Sequence, residues 1–141
     1  MPRIELFMSL LAGCAGGLVG TLWNGMVSSA LLARARAGGA WRGETMTRLV
    51  ASALLYGACG AVLGFLFWLS WGLVALVEKP WPAVGLLFGL LCWAGGALPV
   101  LGMLHLRLRE PRRVAAVLAV EWLVACLAAG VLCALTWHRT A

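Results

Sequence analysis

The sequence predicts an all-α integral membrane four-helix bundle, and three observations carry that prediction. Four stretches, 6–33, 49–77, 81–104 and 114–137, contain no Arg, Lys or Asp. Each exceeds the roughly 20 residues an α-helix needs to cross a hydrocarbon core about 30 Å thick. The cations crowd into two of the three gaps. Arg34, Arg36, Arg42 and Arg48 occupy the first, and Arg107, Arg109, Arg112 and Arg113 the third, leaving only three of the chain's 11 Lys and Arg elsewhere. Loops one and three of a four-span protein emerge on one face. The positive-inside rule therefore places loops 34–48 and 105–113 in the cytoplasm and both termini outside.

A chain of 141 residues that is 63% hydrophobic is filled by one such bundle, so residues 1–141 read as a single domain. A net charge of +6 raises the question of nucleic acid, but cations restricted to two short loops argue for a membrane surface instead. Those eight arginines set topology and can also meet anionic lipid headgroups, at about 1 kcal/mol per surface cation. The bias towards Leu, Ala, Gly and Arg, with a single Lys, points to a bacterial inner (plasma) membrane.

The first span opens near Leu6. Its uncharged stretch far exceeds the 7–15 residues usual for the apolar part of a signal peptide, so a retained helix is expected. Gly13, Gly17, Gly20, Asn24 and Ser28 follow one another at steps of four or three and share a helical face. Gly13/Gly17 and Gly16/Gly20 are small-xxx-small pairs, which let helix backbones approach closely in lipid. The second span repeats the device with Ala53, Gly57, Gly60 and Gly64. The third does so with Gly85, Gly89, Cys92, Gly96, Pro99 and Met103, and the fourth substitutes Ala125, Ala128 and Ala129. These smooth stripes are expected to meet in the bundle centre. Trp68, Trp71, Trp81 and Trp137 fall near the outer boundary, as an interfacial belt would.

The two halves resemble each other faintly. Tyr56 and Gly64 align with Trp122 and Gly130 at an offset of 66, and Gly20 and Asn24 with Gly95 and Pro99 at an offset of 75. The bundle would then be two pseudo-repeated helical hairpins related by an axis along the membrane normal.

Glu121 is the one carboxyl group inside any span. Eight residues past Arg113, it lies about 12 Å along its helix from the cytoplasmic boundary. No Lys or Arg shares that depth, so hydrogen bonds rather than an ion pair must hold it. The same depth count brings Asn24, Tyr56 and Pro99 to one layer with it. A carboxyl, an amide, a phenol and a carbonyl freed by proline form either a polar clamp between helices or a small binding or proton site.

Other chemistry is sparse. Cys14, Cys59, Cys92, Cys126 and Cys133 all sit in apolar runs and form no Cys-x-x-Cys pair, which gives neither a dithiol nor a zinc motif. His105 and His138 end the third and fourth spans at opposite faces and cannot share one iron. No nucleophile–base, metal-ligand or phosphate-loop pattern appears, so no cofactor and no metal are expected. The chain is similar in size to four-helix fluoride channels, quinone-linked thiol oxidases and glutathione-using membrane enzymes. It lacks their filter phenylalanines, paired cysteines and arginine–asparagine signatures. The expectation is a non-enzymatic accessory or scaffold subunit of a larger membrane complex, or a small homo-oligomer, with the bilayer and other membrane subunits as partners. The alternative is a small transporter or channel that uses the Glu121 layer.

Overall fold

The computed structural model describes residues 2–28, 30, 46–74, 79–108 and 112–140. Among them all but Lys79 and Pro80 are helical, and there is no strand. The elements are α1 (Pro2–Trp23), running into a π-turn (Asn24–Ser28); α2 (Met46–Val74); α3 (Trp81–Cys92), a second π-turn (Trp93–Ala97) and α4 (Leu98–Leu108), which together make one span; and α5 (Arg112–Thr140). Four stretches, Ile4–Val27, Leu49–Ser70, Trp81–Leu106 and Arg112–Arg139, are long and apolar enough to cross a membrane. Helix suits that setting because it satisfies each backbone group within its own segment. The first helix starts four residues before Leu6 and takes in Arg3 and Glu5. Arg34, Arg36, Arg42 and Arg109 lie outside the described residues, Arg48 and Arg107 fall within α2 and α4, and Arg112 and Arg113 are exposed on the first turn of α5.

Glycine sets how closely the helices meet. A Cβ on Gly13 would stand 2.1 Å from the Gly60 carbonyl oxygen, and one on Gly17 the same distance from that of Tyr56. Gly64 lies as tightly against Ser9, so α1 and α2 run antiparallel in backbone contact. On its other side α1 meets α5, with Gly16 against Ala129 and Gly20 against the Ala125 methyl and the Tyr56 ring. The second hairpin uses the same device: Gly85 faces Gly130, and Gly89 faces the Cys126 carbonyl. Helix α5 thus lies between α1 and α3, while α2 and α3 meet only sparsely.

These contacts give the two hairpins a common register. Gly60 and Gly64 map onto Cys126 and Gly130 at the expected offset of 66. Their partners on the first helices are Ser9 with Gly85 and Gly13 with Gly89, an offset of 76, one residue from the expected 75. The residues aligned at 75, Gly95 and Pro99, are exposed.

All four spans converge only in the half of the bundle nearer the termini. There Ala12, Phe67, Val84, Cys133 and Ala134 form a buried core, with Phe67 fully enclosed and edge-on to Phe88 at 5.1 Å. Towards the other end the third span leaves the bundle. The Leu98 amide bonds the Trp93 carbonyl, five residues back, and Pro99 has no amide to restore the ordinary pattern. A widened turn of this kind is a recognised site of helix bending. The smooth stripe expected along the whole third span therefore ends at Gly89. Gly96 is exposed with open space around it, and Met103 is likewise exposed.

Candidate functional site

Glu121 is completely buried on the face of α5 that meets α1 and α2. The register explains why Asn24 reaches it. Gly16 lies at Ala129 and Gly20 at Ala125, so the next step of four on α1 against four on α5 pairs Asn24 with Glu121. The Asn24 side-chain amide donates to Glu121 Oε1 at 2.7 Å. The Tyr56 hydroxyl donates to the same oxygen from α2. Asn24 opens the π-turn of the first span, where the extra residue rotates the helix face. Tyr56 is itself buried, with its ring against Gly20 and tilted over Trp122 at 4.7 Å between centroids.

The other carboxyl oxygen, Oε2, is buried with no hydrogen-bond partner among the described residues, and so is the Thr21 hydroxyl one turn from Asn24. Both donors thus converge on one oxygen and leave the second enclosed. Leaving such a group unpaired costs roughly 1–3 kcal/mol.

Three of the four residues expected in the polar layer therefore meet, and Pro99 does not. It is exposed on the departing third span, because the π-turn ahead of it carries α4 away from α5. Equal distance from the membrane boundary puts residues at one level; it does not put them on facing surfaces. Of the nine packing glycines expected, Gly13, Gly17, Gly20, Gly57, Gly60, Gly64, Gly85 and Gly89 are buried and Gly96 is not. Gly57 differs from its neighbours: a Cβ there would meet only Cys14 Sγ at 3.5 Å and the Leu18 side chain at 3.8 Å.

Departure of the third span opens two cavities that sequence reasoning missed. One, of about 490 Å³, lies between the second and third spans, with Cys59, Val62, Cys92, Val100, Trp122 and Cys126 among its walls. The other, of about 340 Å³, lies between α4 and the first turns of α5. Leu98, Leu101, Gly102 and His105 form one of its walls, at helical steps of three and four, and Arg112 to Ala119 form the other. Leu101 borders both cavities. The Trp93 indole N–H donates to the Ala119 carbonyl at 2.8 Å and pins the two helices where they begin to diverge. A tryptophan so deep in a span was the available signal.

The histidines lie at opposite ends: His105 lines the smaller cavity, and His138 is exposed and stacked on Trp81 at 6.0 Å. All five cysteines are free thiols. Among the described residues no three His, Cys, Asp or Glu side chains are grouped as a metal would require. No family model, curated protein or solved structure matches the chain.

Proposed function

We propose that this chain is a non-enzymatic integral membrane subunit, an accessory or scaffold component of a larger bacterial inner-membrane complex or of a small homo-oligomer. In this reading the Asn24–Glu121–Tyr56 triad is a polar clamp that fixes the first, second and fourth spans against one another. The observation that carries it is the packing around the triad. On the terminal side of Glu121, α1 touches α2 backbone to backbone at Gly13/Gly60 and Gly17/Tyr56, and touches α5 at Gly16/Ala129. Helices so close leave the carboxyl inside a sealed three-helix contact. Each hydrogen bond across membrane helices contributes only about 0.6 kcal/mol on average, so the clamp supplies register more than raw stability. A rigid, glycine-tight half with broad apolar outer faces suits a part that others assemble against.

A second reading, a small transporter or channel working through Glu121, draws on the unpartnered Oε2. Intramembrane carboxyl groups lean towards functional roles. Glu121→Gln separates the two. It keeps an Oε1 acceptor for Asn24 and Tyr56, so the clamp reading expects unchanged assembly, measured by native purification and mass spectrometry of co-purifying chains. The transport reading expects loss of pH-coupled flux in liposomes with the fold intact. A protein that purifies only as an isolated monomer would overturn the subunit reading.

The orientation we propose has both termini outside and loops 34–48 and 105–113 in the cytoplasm, supported by the arginine distribution. A cysteine introduced beside Arg42 should resist an impermeant thiol reagent in intact cells. Labelling there would reverse the topology.

A further inference from the structure

We propose that the crevice between α4 and α5 is a binding site for one anionic phospholipid of the arginine-rich leaflet, with its phosphate at Arg112 and an acyl chain running inward. This inference rests on membrane residence and not on the scaffold reading.

The crevice has the polarity such a ligand needs. Its inner end is apolar, formed by Leu98, Leu101 and Ala119, and its mouth carries Arg112 and His105. Both sit at the membrane boundary, where α4 nears its end and α5 begins. Arg112 is exposed on the first turn of α5, next to the exposed Arg113. An arginine fork at this position meets phosphate oxygens directly, and a cation beside an anionic leaflet is itself favourable. A second transmembrane helix is a poorer occupant, because the cationic mouth would then face a chain that needs no negative charge.

The length also fits. From Arg112 to Ala119 the crevice follows α5 for seven residues, about 10 Å of helix. Leu101 also lines the larger cavity, whose wall on α5 is formed by Trp122 and Cys126, the latter 14 residues from Arg112 and about 21 Å along the axis. One leaflet of a core about 30 Å thick is about 15 Å deep. A chain anchored at Arg112 therefore spans its own leaflet and ends within the larger cavity. The helices are held apart at the right place, since the π-turn and Pro99 turn α4 outward and the Trp93–Ala119 bond fixes the vertex.

Full-length protein extracted from vesicles of equal phosphatidylglycerol and phosphatidylcholine, stripped with detergent and weighed by native mass spectrometry, tests this. One phosphatidylglycerol should remain per chain, with little phosphatidylcholine. Arg112→Ala should lower the apparent affinity about fivefold, the equivalent of about 1 kcal/mol for one interfacial cation, and Arg112→Lys should restore most of it. Gly102→Trp, which fills the crevice from a position with open space around it, should abolish retention while helix content is unchanged. Arg139→Ala, at the other end of α5, should retain lipid like the parent. Equal retention of both lipids would overturn the proposal. So would an equal loss with Arg139→Ala, or retention that survives both Arg112→Ala and Gly102→Trp.

Discussion

Two glycines one turn apart on α2 should respond in opposite directions to the same added methyl group. At Gly60 the new Cβ would stand 2.2 Å from the Gly13 carbonyl oxygen, 2.9 Å from its carbonyl carbon and 3.0 Å from Gly17 Cα. Every one of these atoms is backbone, so no side chain can rotate away. Ordinary contact begins at 3.4 Å, and α1 and α2 must therefore part by about 1 Å along the close-packed length of the hairpin. Overpacking of this kind costs about 1–3 kcal/mol. The upper end is expected here, because Gly13, Gly17 and Gly64 lose their contacts together. At Gly57 the new methyl would rest against Cys14 and Leu18 at 3.5 and 3.8 Å, which is ordinary packing. Relief of the glycine penalty in a helix should then make Gly57→Ala neutral or stabilising by about 0.5–1 kcal/mol. Unfolding in mixed micelles of rising SDS fraction, followed by helical ellipticity, measures both. A midpoint that falls equally for Gly57→Ala and Gly60→Ala would refute the assigned helix faces. A parent-like Gly60→Ala would refute the backbone contact itself.

Glu121→Ala should destabilise by several times more than Tyr56→Phe in the same titration. The first leaves the Asn24 amide and the Tyr56 hydroxyl both without an acceptor, at about 1–3 kcal/mol each; the second loses one hydrogen bond of about 0.6 kcal/mol and keeps the ring against Trp122. Equal losses would mean that the triad does not act through Oε1. Trp93→Phe keeps the ring but removes the donor to Ala119, so the third span should swing more freely at a cost of about 0.5–1.5 kcal/mol. Spin labels at Leu106 and Ala116, both exposed, should report a broader distance distribution, and an unchanged one would show that the pin is not what holds α4.

The clamp and the crevice differ in how far the linear chain foretold them. Glu121 announces itself, because one carboxyl in four apolar spans is costly enough to need partners. Asn24 and Tyr56 follow from counting residues inwards from the arginines. The count fails at Pro99, since depth along a helix says nothing about which way the helix leans. Spacing likewise found the glycine stripes but could not separate Gly60, under a carbonyl oxygen, from Gly57, beside a flexible leucine. Both are glycines on the second span, and only the neighbouring backbone tells them apart.

Composition and charge by themselves determined the membrane-spanning class, four helices and the placement of the polar residues by depth. Each of these follows from the free energy of single residues in hydrocarbon, which is local and additive along the chain. Tertiary structure alone decided which faces meet. The two hairpins share a register of 76 and 66, α5 is sandwiched between α1 and α3, and the third span closes the bundle at Phe88 and opens it below Trp93. Those outcomes depend on packing between helices, where lipid competes on nearly equal terms with any apolar side chain. A few close backbone contacts and one indole hydrogen bond therefore settle what hydrophobicity leaves open.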